Sequence, residues 1–380
     1  MEIRRLHAEH YGELLTLLNS VFARENHCPG TDFEKDLPKM WGHSEEKMGR
    51  HFAAFDGGRM VAALGVYPIP VRVGERSLLF ATVGNVATHW DYEGRGCMTA
   101  LMTRAMEELC EIGADVSRLG GLRSRYGRFG YEGCGTNAVY RLTARNLAEQ
   151  ETGAPLTLHK VGQNDGELLA FISAHCRAFS MYAERPDADL YAILTAWRHV
   201  PYVAMEGGRP VGYLVLSRNG KEIPEFGATE EKDLLRVLAA GVALAGGEAE
   251  FSVGVAQRSR VRLLDAIAES YCLVCPSRFK ILHFAKVADA FLALKAKDAD
   301  FLPGAATLGI TGEPTIRLYC EGGRVGCEET DAAPDLTLSP LMATRLLFGP
   351  LPPDAVADAI PAALRQFCPL PLCWNTLDRV

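Results

Sequence analysis

The sequence predicts a mixed α/β (α+β) chain made of more than one domain, and three features carry that reading. At 380 residues the chain is longer than one hydrophobic core usually organises. Short runs of strand period alternate with stretches of helical period. The order of these elements then begins again near residue 156. Hydrophobic content of 48% and charged content of 23% fit a globular protein, and the net charge of -7 argues against a nucleic-acid-binding surface as the main function. No run approaches the ~18 apolar residues that would span a bilayer, and Met1-Glu2-Ile3-Arg4-Arg5 does not open the apolar core of a signal peptide. A cytoplasmic protein with neither a membrane nor a nucleic-acid partner is expected.

Taken in order, residues 7–22 place Tyr11, Leu14, Leu15, Leu17, Leu18, Val21 and Phe22 on one apolar stripe, which predicts a helix. Pro29-Gly30 breaks the polar loop that follows, and a short helix is expected over 33–41. Strands are expected at 51–55, 60–67 and 71–73, with turns at Asp56-Gly57-Gly58 and Gly74-Glu75. A strand at 83–88, a long helix to about 112, a strand at 116–122, a helical turn at 126–129 and a strand at 138–142 complete a first domain, residues 1–147. In a second domain, 148–284, helices at 165–179 and 187–199 precede a hairpin around Gly207-Gly208. A strand at 224–226, a helix at 230–244, a strand at 251–255, a short helix at 260–268 and a strand to about 284 follow. A third region, 285–380, begins with a helix to about 295. Short strands at 306–310, 315–320 and 324–327 come next, then Asp335-Leu336-Thr337-Leu338-Ser339 leading to a helix ending at Gly349.

The chemistry concentrates between Val83 and Met102. Val83, Val86 and Thr88 read as a strand, while Cys97, Met98, Leu101, Met102, Ala105, Met106 and Leu109 recur at helical spacing, so a strand passes through Glu93-Gly94-Arg95-Gly96 into a helix. The first amides of a helix lack partners within it and point outward at the positive end of its dipole. Gly94 and Gly96 remove side chains that would keep a phosphate from that backbone. A Gly-x-Gly at a helix start is also found in dinucleotide folds and plain turns, so its neighbours decide. Downstream lies Arg125-Tyr126-Gly127-Arg128-Phe129-Gly130-Tyr131-Glu132.

The glycine turn and this aromatic segment, in that order, resemble the acyl-CoA-binding turn and following Tyr-x-x-Phe-Gly-Tyr segment of the GCN5-related N-acetyltransferases. Two such units, the second without a glycine turn, followed by a region similar to a sterol-carrier-protein-like domain, resemble the Eis-type (enhanced intracellular survival) arrangement over the full length. The resemblance implies tandem acyl-CoA N-acyltransferase folds and an acetyl-CoA-dependent transfer of an acetyl group to a primary amine of aminoglycoside, polyamine or lysine type, by direct attack. It implies a pantetheine arm beside Val86-Ala87-Thr88 and a pyrophosphate on the turn of Glu93, Gly94, Arg95, Gly96, Cys97 and Met98. Tyr126 would protonate the departing thiolate, since a phenol of pKa ~10 holds its proton at neutral pH. The carboxylate of Val380 would accept the amine's proton, and Glu25, Asp32 and Asp378 would line the acceptor pocket. A homo-oligomer, often a hexamer, is also implied. This chain departs from the family at the turn: Glu93 replaces a usual Arg or Gln, and Met98 a usual Gly or Ala.

Because Glu93 places a carboxylate at the turn, a second reading is a coenzyme-binding or ligand-sensing protein on the same fold without turnover. His89 reads either as a proton relay or as a structural histidine. The 11 cysteines, an odd number scattered through mostly apolar stretches, read as reduced core thiols rather than a disulfide framework. Cys272-Leu273-Val274-Cys275 is the one close pair with metal-ligand spacing. With no second pair to complete a site, it is read as a buried strand, and no metal is expected.

Overall fold

The computed structural model describes residues 1–380. Strand β1 (Glu2–Arg5) leads through a 3₁₀ turn into helix α1 (Tyr11–Glu25), followed by the short helices α2 (Phe33–Asp36) and α3 (Glu45–Met48). The helix expected over 33–41 stops early because Leu37 precedes Pro38, and the residue before a proline is pushed out of the helical region. An antiparallel meander follows, of β2 (His51–Asp56), β3 (Arg59–Val73) and β4 (Arg76–Thr88). The pieces expected at 60–67 and 71–73 form one strand, whose Pro68 and Pro70 lie past the end of its pairing with β2, where a missing N–H breaks no ladder. Next come α4 (Cys97–Glu111), β5 (Val116–Leu119), α5 (Arg123–Tyr126), β6 (Glu132–Cys134), β7 (Asn137–Thr143) and α6 (Ala144–Ala148).

The middle of the chain contains β8 (Thr157–Lys160), α7 (Gly166–Arg177), β9 (Met181–Ala183), α8 (Leu190–Leu194), β10 (Val200–Glu206) and β11 (Arg209–Leu216). It continues with β12 (Glu222–Ile223), β13 (Glu225–Ala228), α9 (Glu231–Leu244), β14 (Glu248–Gly254), α10 (Arg258–Ile267), β15 (Ser270–Val274) and β16 (Ser277–Ile281). The last region is α11 (Phe284–Ala296), β17 (Gly304–Ile310), β18 (Ile316–Glu321), β19 (Arg324–Glu329), β20 (Leu336–Leu338), α12 (Pro340–Phe348) and α13 (Ala362–Phe367). No helix is long and apolar enough to cross a membrane.

Two strands trade places relative to the order read from the sequence. The first sheet runs β1-β2-β3-β4-β5-β16-β6, so residues 277–281 complete it from the far end of the second unit. The strand at 138–142, expected to close the first unit, instead pairs with β14 and β15 in another sheet. Side-chain period identifies a strand but not its neighbour, and here burial decides. Phe279 and Ile281 pack into a core with Phe80 and Val116, while Ala138, Tyr140 and Leu142 pack with Phe251 and Leu238. The same core that holds Phe80 and Phe279 also holds Phe291 of α11, Leu308 of β17 and Leu346 of α12, so the third region packs on the first without a break. The four-stranded sheet of that region has the order β19-β18-β17-β20.

One further expectation is corrected. Residues 271–275 lie on an exposed edge strand rather than a buried one, with Tyr271 56% and Leu273 53% exposed, because β15 has only β7 as a neighbour. Cys272 is exposed, and no group of three or more His, Cys, Asp or Glu side chains is placed to hold a metal ion.

The strand exchange has a direct consequence. A chain ending at residue 147 leaves β5 and β6 without the strand that joins them, and it is expected to show no cooperative thermal transition by circular dichroism, whereas the full chain shows one.

Candidate active site

The site begins where two parallel strands part. β4 and β5 are hydrogen-bonded from Phe80↔Val116 to Val83↔Leu119; β5 then ends, and β4 runs on to Thr88 with only β3 beside it. A bulge marks the parting, since β4 changes register against β3 between Gly65↔Gly84 and Ala63↔Ala87. Asn85 within the bulge has φ 55°, a left-handed conformation that asparagine tolerates better than most residues. An open main-chain edge from residue 84 to 88 is therefore available to an extended ligand.

After Thr88, a 3₁₀ turn over Trp90–Tyr92 leads to the glycines. Gly94 has φ 73° and Gly96 φ 82°, and a Cβ built at either would meet nothing within 4 Å. Both are needed for the backbone turn, and the space in front of them is open. The amide of Arg95 donates to the Tyr92 carbonyl and that of Ala100 to the Gly96 carbonyl, leaving those of Gly96, Cys97, Met98 and Thr99 without a backbone acceptor. These donors face a cleft of about 430 Å³ lined by Glu25, Val86, Thr88, Tyr92, Glu93, Gly94, Gly96, Cys97, Met98, Thr99, Arg125 and Arg128.

Most of the residues expected at the coenzyme turn thus meet at one cleft. Ala87 and Arg95 do not line it: strand alternation turns Ala87 into the core with Tyr67, and Arg95 lies over the Tyr92 ring. Arg125 and Arg128 do line it and were not singled out in the sequence. Their spacing around Tyr126 was the available signal, because a one-turn helix brings residues three apart to one side. Arg128 is held by a 3.0 Å hydrogen bond to the Thr99 hydroxyl.

Tyr126 closes α5 beside the cleft. Gly121, at φ 113°, lets its ring lie against the backbone, since a Cβ there would fall 2.7 Å from Cε2. The ring is 5% exposed, and burial holds the phenol above its ordinary value, outweighing the opposing effect of Arg125, while the nearby Glu25 adds to the rise. The group therefore keeps its proton at neutral pH.

Val380 reaches the same sheet. A Cβ on Gly84 would lie 2.5 Å from Val380 Cγ2, so the end of the chain rests on the bare backbone of β4 just before the bulge. Beneath it is a buried polar chain. Lys47 and Met48 carbonyls accept from His51 Nδ1, Tyr67 donates to His51 Nε2 at 2.8 Å, and Asn85 donates to the Tyr67 hydroxyl at 2.7 Å. Burial pushes His51 down to about 4.

Two of the expected acceptor residues lie elsewhere. Asp32 caps α2 through the Lys35 amide and pairs with the Lys35 ammonium at 2.6 Å, because an aspartate before a helix satisfies its free amides. Asp378 is 6% exposed and paired with Arg185, drawn away from the cleft by a buried cation. His89 is structural: its Nδ1 accepts from the Asp91 amide at 3.3 Å, Nε2 lies 3.0 Å from Arg59, and its ring stacks on Trp90.

Residues 2–134 match the family model for the acetyltransferase (GNAT) domain. That stretch contains β1 through β6, the glycine turn and Tyr126. Among curated proteins no sequence matches. Among solved structures, a GCN5-related N-acetyltransferase from Anabaena variabilis is similar with TM-score 0.70 and 15% identity, covering 98% of each chain. Eis1 from Mycobacterium abscessus gives 0.68 and 16% over 100% of both chains. A GCN5-related N-acetyltransferase from Kribbella flavida gives 0.66 and 18%, covering 96% of this chain and 94% of that one. The fold is of the GNAT acetyltransferase type.

The polar chain under Val380 predicts an acid weakness. His51 has its folded pKa depressed from 6.5 to about 4, so its contribution is present above pH 6.5 and is lost as pH falls toward 4, amounting to about 3 kcal/mol. Urea denaturation at a series of pH values is expected to show that slope, and His51→Asn is expected to flatten it.

Proposed function

We infer that this protein is an N-acetyltransferase that takes its acetyl group from acetyl-CoA and passes it to a primary amine. The observation that carries the reading is the parted strand with free amides at its end and a protonated tyrosine beside it. The match of residues 2–134 to the GNAT domain supports it.

The residues fit the coenzyme. The amides of Gly96 to Thr99, together with Arg125 and Arg128, offer donors and positive charge to a diphosphate, and the open edge of β4 at Val86-Ala87-Thr88 suits an amide-bearing arm. An amine held in the cleft attacks the thioester carbonyl, forming the C–N bond as the C–S bond breaks. The Tyr126 hydroxyl donates its proton to the departing sulfur. The substrate ammonium first gives one proton to the carboxylate of Val380 by way of water, and the proton that nitrogen loses as the C–N bond forms restores the Tyr126 phenol. An α-carboxyl has pKa ~3.5 in water, so it acts by attracting the cation and relaying its proton through water. Glu25, at the rim of the cleft, adds a negative charge that favours a cationic acceptor of polyamine, aminoglycoside or lysine type.

Glu93 also lines the cleft, and a carboxylate beside the free amides repels a diphosphate. This favours a second reading, a protein that binds the coenzyme without turnover. Free-thiol release from acetyl-CoA, followed across a panel of polyamines, aminoglycosides and lysine peptides, separates the two. Turnover on any of them supports the enzyme, while coenzyme binding with silence across the panel supports the alternative.

Two substitutions divide binding from chemistry. Gly96→Glu places a charge at the amides and strains a φ of 82°, and calorimetry is expected to show acetyl-CoA affinity reduced at least about tenfold. Tyr126→Phe is expected to lower kcat by roughly 10²-fold with acetyl-CoA affinity kept within about twofold.

A further inference from the structure

The last seven residues are held by side chains from both the first and the second units, which is far more than a terminus needs in order to pack. Asn137, at the start of β7, binds both the amide and the carbonyl of Trp374, at 3.3 and 2.9 Å. Trp374 itself stacks on Phe80 of β4, with ring centroids 5.5 Å apart. Leu377 is fully buried in the core between α7, α8 and β11. Lys39, from the loop after α2, donates to the Leu377 carbonyl at 2.7 Å.

At the centre of these contacts is Arg185. Its Nε and Nη2 meet the two oxygens of Asp378 at 2.8 and 3.0 Å, while Nη1 and Nη2 meet those of Glu225 at 3.0 and 2.7 Å. The three side chains are 7%, 8% and 1% exposed. Burial alone would depress the guanidinium, yet the two carboxylates hold it well above the ordinary arginine value. Glu225 also accepts from the Asn375 amide, the Cys176 thiol and the Tyr213 hydroxyl, so its oxygens are satisfied by groups of fixed position. A buried ion pair is a costly way to add stability, since apolar residues of equal volume do as well or better. What a bidentate pair supplies is a set distance and angle.

The geometry points to Arg185 and Glu225 as positioning residues for the reaction, acting through Asp378. Their clamp lies two residues before Val380, and neither residue lines the coenzyme cleft. By fixing Asp378 they set where the end of the tail meets the backbone of Gly84, beside the bulge that opens the cleft. The second unit, which lacks a glycine turn of its own, thereby takes part in chemistry at the first. This inference rests on the reading of the Val380 carboxylate as proton acceptor.

The test uses Asp378→Asn in the full chain, which removes one buried charge and leaves Arg185 and Glu225 as a neutral pair. Glu225→Gln, which leaves Arg185 with Asp378, is the second variant should the first not fold. Either is expected to lower kcat roughly 10- to 100-fold, to leave acetyl-CoA affinity by calorimetry within about twofold, and to speed release of Val380 by carboxypeptidase. In a chain already lacking Val380, the same substitution is expected to cost nothing more. An equal loss with and without Val380, or a release rate of Val380 unchanged from the native chain, overturns the positioning role. Deletion of Val380 alone judges the carboxylate separately: unchanged turnover overturns its part in catalysis, while the release rate still judges the clamp.

Discussion

The parting of β4 and β5 is the constraint on which the rest of the site depends. A parallel pair normally continues until one strand turns away; here β5 ends at Leu119 while β4 carries five more residues, and the bulge at Asn85 bends it as it goes. The parts of the candidate site are arranged around that opening. The extended strand presents main-chain donors and acceptors, the glycine turn at its end presents free amides, and the segment after β5 brings Arg125 and Arg128 to the cleft, with Tyr126 buried between them. The site is built from backbone more than from side chains, which explains how an unusual residue such as Glu93 can stand in the turn without closing it.

A second layer of order comes from burial of polar groups. The chain His51–Tyr67–Asn85 ties the bulge to β2 and β3, fixing an asparagine in a left-handed conformation through its own side chain. On the other side, Glu132 of β6 is gripped by Arg123 of α5 at 2.7 Å and by Arg345 of α12 at 2.8 Å, which hold it below the ordinary carboxylate range even though burial acts the other way. The helix bearing Tyr126 is therefore braced against the third region. Together with the strand exchange, these contacts make the three regions parts of one packed body, in which the cleft of the first depends on strands and charges supplied by the others.

Much of this was legible in the residue order. The change of period between Val83 and Met102, the two glycines and the Tyr126 segment located the cleft, and the structure brings Glu25, Val86, Thr88, Glu93, Gly94, Gly96, Cys97 and Met98 to it. Less legible were residues whose role comes from distant partners. Asp378 reads as an acidic residue near a cleft, and only the fold shows Arg185 facing it; only the fold likewise places the half-buried Lys39 against the tail, where desolvation pushes it down to about 7.

What the sequence determined by itself was local: the period of each element, the turns, and the free amides at the start of α4, all of which depend on residues a few positions apart. The tertiary structure alone decided which strand lies beside which, so that β16 rather than β7 completes the first sheet, and where the tail runs. The reason is physical. Local conformation follows from side chains and their near neighbours, whereas pairing between sheets and between buried charges is settled by which long-range arrangement buries the apolar faces while leaving each polar group a partner.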